Sequence, residues 1–189
     1  MSTQTASTAA VSTAAVSTAA VSTERADLLE SLARHRHFLR FTAQGLTDDQ
    51  ARRRTTVSEL TVGGLVKHVA ATEEMWVRFI VEGTGAMPSM TGWDEEVAQQ
   101  WAAEHVLLPA ETLAGALERY EEVARRTDEV VRTLPSLDVA HPLPEAPWFE
   151  PGASWSARRA LLHVIAETAQ HAGHADIVRE ALDGQKTMG

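Results

Sequence analysis

From Glu24 onward the apolar positions recur at helical spacing. Leu28, Leu32, His35, Leu39, Thr42 and Leu46 step by four and three, laying out one face of a helix that closes near Gly45. Thr47 then opens "TDDQ", a capping-box form with Gln50 at its third position, and a short helix through Arg52–Arg54 is expected to follow. Leu65, His68, Thr72, Met75 and Phe79 share one face of a second long helix, expected from about Thr61 to Glu82 and stopped by Gly83 and Gly85. Gly63 and Gly64 weaken the first turn of that helix, a cost that makes sense where another backbone or a ligand comes close. Residues 83–110 form a long connection, within which "WDEEVAQQWAAEH" reads as a short helix. A third long helix starts near Pro109–Glu111. Leu113, Leu117, Tyr120, Ala124, Thr127, Val131 and Leu134 make it the cleanest amphipathic run in the chain. A Pro-rich loop follows, with Ser154 as the expected N-cap of a last helix reaching about Leu182 and ended by Gly184. No stretch reads as a strand. Four long helices with one long crossover predict an all-α four-helix bundle.

The first 23 residues do not share this pattern. Ser7 to Thr23 repeats with a period of five, which matches neither helix nor strand, and the segment reads as a disordered tail. A secretory signal would need a basic start and a continuous apolar stretch, and neither is present. The expected organisation is a tail over 1–23, one helical domain over 24–185 and a short tail over 186–189, at a total length of 189 that suits a single core.

Composition narrows the chemistry. There is no cysteine, so disulfides, thiolate metal sites and thiol nucleophiles are excluded. The net charge of -9 argues against a nucleic-acid partner. No apolar run approaches the roughly 18–20 residues that span a bilayer, and a cytoplasmic location is expected. Arginine outnumbers lysine 15 to 2, which with the abundant alanine hints at a high-GC genome.

The last helix carries the most informative chemistry: "ALLHVIAETAQHAGHADIVREAL" holds His163, Glu167, His171 and His174. At about 100° per residue these four fall within roughly 80° of one another, on the arc that also carries Ala160, Val164, Val178 and Leu182. Ionisable groups on an apolar face are costly unless something uses them. Glu167 and His171, spaced i, i+4, can reach one ion, and bundle metal sites are assembled from facing helices in this way. His68, on the inward face of the second helix, is the leading third ligand. Three protein ligands leave a position open for chemistry. A His171–His174 pair is the rival choice. His163 and His174 otherwise serve as ligand-supporting groups, substrate contacts or proton carriers. His35 also faces inward, where core hydrogen bonding competes with an approach to the same cavity. His37 and His105 have no pattern support, and His141 in the Pro-rich loop reads as solvated. For the tryptophans packing is the simplest reading: Trp76 at the core, Trp148 and Trp155 stapling the loop before the last helix, Trp93 and Trp101 in the long connection.

Two stretches resemble a known family. "GLTDDQARRRTTVSELTVGGLVKHVAATEEMWVRFI" and "WSARRALLHVIAETAQHAGHADIVREALDG" look like the two halves of a DinB-like protein of the mini-circle type, related to the N-terminal domain of the mycothiol-dependent maleylpyruvate isomerases. The resemblance covers roughly residues 24–185. It implies a DinB/YfiT-like four-helix bundle with a divalent metal held by one histidine of the second helix and a pair on the last. Here those positions read His68, Glu167 and His171, with glutamate where many relatives have histidine. The isomerases use a similar His-Glu-His zinc set, so the resemblance implies zinc, with nickel and manganese as alternatives. The isomerases' additional C-terminal domain has no counterpart in this chain.

Several relatives use a low-molecular-weight thiol, bound through its sulfur and held as thiolate for attack on an electrophile. In high-GC bacteria mycothiol is a candidate for that thiol. The expected function is therefore a metal-dependent, thiol-using S-transferase or isomerase acting on small electrophiles, with His174 and His163 orienting the thiol or carrying a proton. Two rivals stand beside it: a non-catalytic metal- or ligand-binding module of stress or sensor type, and a metal-assisted hydrolase. The assembly is open between monomer and homodimer.

Overall fold

The structure is a computed structural model that describes residues 22–87 and 95–187, without the side chains of 96–98, 100 and 101. The expected tail thus lies outside the described residues, apart from its last two, and so does Trp93; Trp101 is described only in its backbone. Ser22 is the N-cap of the first helix, its side chain accepting from the Arg25 amide, so the helix begins at Thr23.

The long helices are α1 (Thr23–Ala43), α3 (Val62–Glu82), α5 (Leu113–Thr133) and α6 (Ala157–Asp183). Short helices α2 (Asp48–Ala51) and α4 (Glu95–Glu104) lie between them. Thr47 and Gln50 form the predicted capping box on α2, each side chain receiving the other's backbone N–H. That helix stops at Ala51 and does not run through Arg52–Arg54. Arg52 turns its guanidinium onto the carbonyls of Leu107, Leu108 and Glu111, an interaction with a distant segment that local pattern does not reveal.

Around the bundle the helices are ordered α1, α6, α3, α5, with α1 against both α6 and α5. Two pairs of neighbours run parallel. Arg158 near the start of α6 pairs with Glu24 at the start of α1, while Arg179 near its end bonds the Thr42 carbonyl near the end of α1. On the other side, Lys67 reaches Glu111 just ahead of α5, and Glu73, further along α3, accepts from Thr127. Parallel neighbours cannot be joined by a tight turn. Each 21-residue helix is about 30 Å long, so the link from α3 to α5 must travel back over that length. That requirement is the physical reason for the long crossover and for α4 within it.

The Pro-rich loop departs from the expectation of no strand. Ala140–Pro142 (β1) pairs antiparallel with Ser154–Ser156 (β2), His141 opposite Trp155. Three residues are too few to display a period of two. With Ser154 committed to β2, Ser156 caps α6, accepting from the Arg159 amide at 3.2 Å. Two good capping residues stand two positions apart, and only the strand pairing selects between them. His141 is half-buried, not solvated: its Nε2 lies 3.2 Å from the Ile80 carbonyl and its ring meets Phe79 edge-on.

The core forms two apolar clusters. Leu39, Val62, Leu65, Val69, Tyr120, Ala175 and Val178 fill one end, and Leu32, Trp76, Phe79, Val131, Leu161 and Val164 fill the other. Between them lies a polar layer with one residue from each long helix: Arg36, Glu73, Thr127 and Thr168. Arg36 donates to both Glu73 oxygens, and Thr127 donates to Glu73 as well. Arg36 also reaches Asp128 at 2.8 Å. No described helix is long and apolar enough to cross a membrane.

Candidate metal centre

Two caps set the register of the helices that carry the candidate ligands. Thr61 accepts from the Gly64 amide at 3.1 Å and places His68 two turns into α3. Ser156 does the same for α6. Antiparallel packing of α3 on α6 then brings His68 edge-on to His171, ring centroids 4.8 Å apart. Glu167 Oε2 lies 3.4 Å from His171 Nε2. One donor atom from each of His68, Glu167 and His171 can be chosen so that all three lie within 4.8 Å of one another.

The donor set fits a divalent ion. Two atoms bound tetrahedrally to one ion at about 2.1 Å lie about 3.4 Å apart, the spacing already present between Glu167 and His171. Two neutral imidazoles and one carboxylate leave the site open on the remaining side. The side chains of Glu167 and His171 are 28% and 16% exposed, shielded yet reachable.

The ionisable stripe sits at the edge of the buried arc of α6, not at its centre. The fully buried positions are Ala157, Ala160, Leu161, Val164, Thr168, Ala172, Ala175, Val178 and Arg179. His163, Glu167, His171 and His174 are all half-buried along the border of that arc. Arg179 is the one charged residue of that buried set. It is held there by Asp183 and by the carbonyls of Thr42 and Gln44, which it caps at the end of α1.

The remaining histidines separate. His174 Nδ1 faces His171 Nδ1 at 3.4 Å. His163 is wedged edge-on against Trp76 and Trp155, with Nε2 3.8 Å from the other Glu167 oxygen. Trp76 is buried and stacks on Trp155, in keeping with the packing role expected for both, whereas Trp148 is exposed. His35 is half-buried beside Phe38. Hydrophobic periodicity gave no reason to single out His105, yet its ring stacks on His68 at 4.2 Å. The signal that points to it is indirect: the Gly63–Gly64 pair, which anticipates a close-lying backbone.

Burial holds His68 down to about 4, with His105 and His171 adding to the effect. His171 and His163 are also pushed below the ordinary value, again chiefly by burial, while Glu167 pulls the other way. Neutral imidazole is the form that binds a metal. The same shift makes the metal-free protein acid-sensitive. Unfolded His68 takes up a proton near 6.5 and folded His68 near 4, so between these values the unfolded state binds more protons. Its contribution to stability is whole above about pH 6.5 and is lost as pH falls toward 4. The melting temperature of metal-stripped protein should therefore fall from pH 7 to pH 5, with a shallower slope in His68→Gln. Equal slopes in the two proteins would rule out this assignment.

Comparison with known proteins bears on fold and family. A conserved protein from Enterococcus faecalis superposes with a TM-score of 0.61 at 16% identity, over 85% of this chain and 97% of that one. YfiT from Bacillus subtilis, described as a probable metal-dependent hydrolase with an unusual four-helix bundle topology, superposes with a TM-score of 0.60 at 19% identity, over 85% and 89%. At such identities the likeness establishes the four-helix bundle fold alone. No functionally curated protein matches in sequence. The profile of the mycothiol-S-transferase family matches residues 27–184, nearly the whole of the helical bundle, and the chain therefore belongs to that family.

Proposed function

We propose that the protein is a divalent-metal-dependent transferase or isomerase that uses a low-molecular-weight thiol, mycothiol, against small electrophiles. The observation that carries this reading is the convergence of His68, Glu167 and His171 within 4.8 Å in a chain of this family. These three residues would hold the ion. Zinc suits two imidazoles and a carboxylate, with nickel and manganese as the alternatives. When bound, the ion supplies positive charge that favours thiolate over thiol.

The other residues orient what is held. If His171 held the ion through Nε2, which is directed to the Glu167 side, its Nδ1 would carry the proton between the two facing Nδ1 atoms. His174 would then accept at Nδ1, leaving its Nε2 to face the thiol or electrophile. His163, fixed between two tryptophans, steadies the second oxygen of Glu167.

The description of YfiT favours one alternative, a metal-assisted hydrolase. Metal content and thiol dependence separate the readings. Purified protein should carry one divalent ion per chain by mass spectrometry and consume a panel of electrophiles only with mycothiol present. Turnover without thiol would favour the hydrolase, and protein without stoichiometric metal would overturn both.

A further inference from the structure

The crossover between α3 and α5 is fastened to the bundle more firmly than a simple connection requires. Lys67, buried on α3, donates to the carbonyls of Ala103 at 3.0 Å and Val106 at 2.9 Å and to the Glu111 carboxylate at 2.6 Å. Glu111 in turn accepts from the Leu108 amide at 2.8 Å. Arg52 holds the carbonyl of Leu107 at 3.2 Å. Gly64 completes the seat: a Cβ there would lie 2.1 Å from the His105 carbonyl oxygen, so the backbone of His105 rests directly on α3. Gly64 and His68 are i and i+4 on one helix face. A residue seated over Gly64 therefore presents its side chain one turn further along, at His68.

The stack has a defined sense. The two rings lie within 26° of parallel at 4.2 Å, and His171 meets His68 from another side at 86°. The lone pair of an imidazole lies in its ring plane. A neighbour lying against the ring face leaves that lone pair clear and fixes the plane in which it points. We propose that His105 is a positioning residue of the metal centre, delivered by the anchored crossover, that holds the His68 ring in its ligating orientation. The proposal rests on the metal reading given above.

The test uses full-length protein in four forms: wild type, His105→Ala, His105→Phe and Gly64→Ala. Zinc affinity is measured by competition with a chelating dye, and the visible bands of the cobalt-substituted proteins are recorded beside it. His105→Ala should weaken zinc by about 10–100-fold, the range for partners that orient a ligand, and should shift the cobalt bands. His105→Phe keeps a stacking ring without ring nitrogens and should recover most of the affinity. Gly64→Ala displaces the same backbone without altering any side chain of the site and should move in the direction of His105→Ala. Wild-type affinity and wild-type cobalt bands in His105→Ala would overturn the proposal while leaving the metal reading intact. Weakened zinc in His105→Ala and His105→Phe alike would overturn it too, since a stack is then not what matters. A wild type that binds no zinc would overturn both.

Discussion

Replacing Glu167 with alanine is expected to strip the protein of its metal while leaving it folded. Glu167 is the only oxygen donor of the three converging groups and one half of the i, i+4 pair on α6. Without it two imidazoles remain, one on each of two helices, and the pair pre-arranged on a single helix is gone. The loss in affinity should exceed the about 10–100-fold typical of residues that merely orient a ligand. Thiol-dependent turnover should fall with it. Stability of the metal-free form should change by no more than about 0.5 kcal/mol, because the side chain is partly exposed and anchors no core contact. Glu167→His, which restores a donor at the same place, should recover metal binding. Chelator competition on the three proteins reads the result directly. Wild-type metal affinity in Glu167→Ala would remove the residue from the site.

The second large effect belongs to the polar layer. Arg36→Ala should destabilise the protein by about 3–5 kcal/mol, because it strands the Glu73 carboxylate in the core without its cation. For a chain of this size that is on the order of 10 °C in melting temperature. The penalty belongs to the orphaned charge more than to the lost pair. Replacing both residues, Arg36→Met with Glu73→Leu, should therefore recover most of the stability. Urea titration of the single and double variants distinguishes the cases. A single variant within 1 kcal/mol of wild type would show that Glu73 does not depend on Arg36 in the folded core. The layer also bears on the site by position: Thr168, its α6 member, adjoins Glu167 in sequence.

Neither Arg36 nor Glu73 is legible as a core residue. Arg36 sits at the edge of the arc of Leu28, Leu32 and Leu39, while Glu73, although three and four residues from Val69, Ala70, Trp76 and Val77, is a carboxylate on an apolar arc; each is tolerated inside only because the other arrives from a helix 37 residues away in sequence. His35, one residue earlier, is the group that the spacing of Leu28, Leu32 and Leu39 turns inward. A rotation of about 100° separates neighbours on a helix, and that small difference decides which of the two is buried. His105 is hidden for a related reason. Its placement depends on a crossover whose path is set by Lys67, Arg52 and Gly64, all remote from it in sequence.

The sequence by itself determined what is local or periodic. The four long helices follow from apolar spacing, the capping box at Thr47 and Gln50 from side-chain chemistry, and the end of α6 from Gly184, whose φ of +82° suits a residue without a Cβ. It also placed Glu167 and His171 together, because i, i+4 on one helix is itself a distance. His68 required a further inference, that its helix would face α6. Only the tertiary structure decided the parallel pairing that makes the crossover long, the choice of Ser156 over Ser154 as cap, and the set of imidazoles that meet around His68. These depend on contacts between segments far apart in the chain. Their energies come from burial, close backbone approach and charge pairing, and none of these exists until the helices pack.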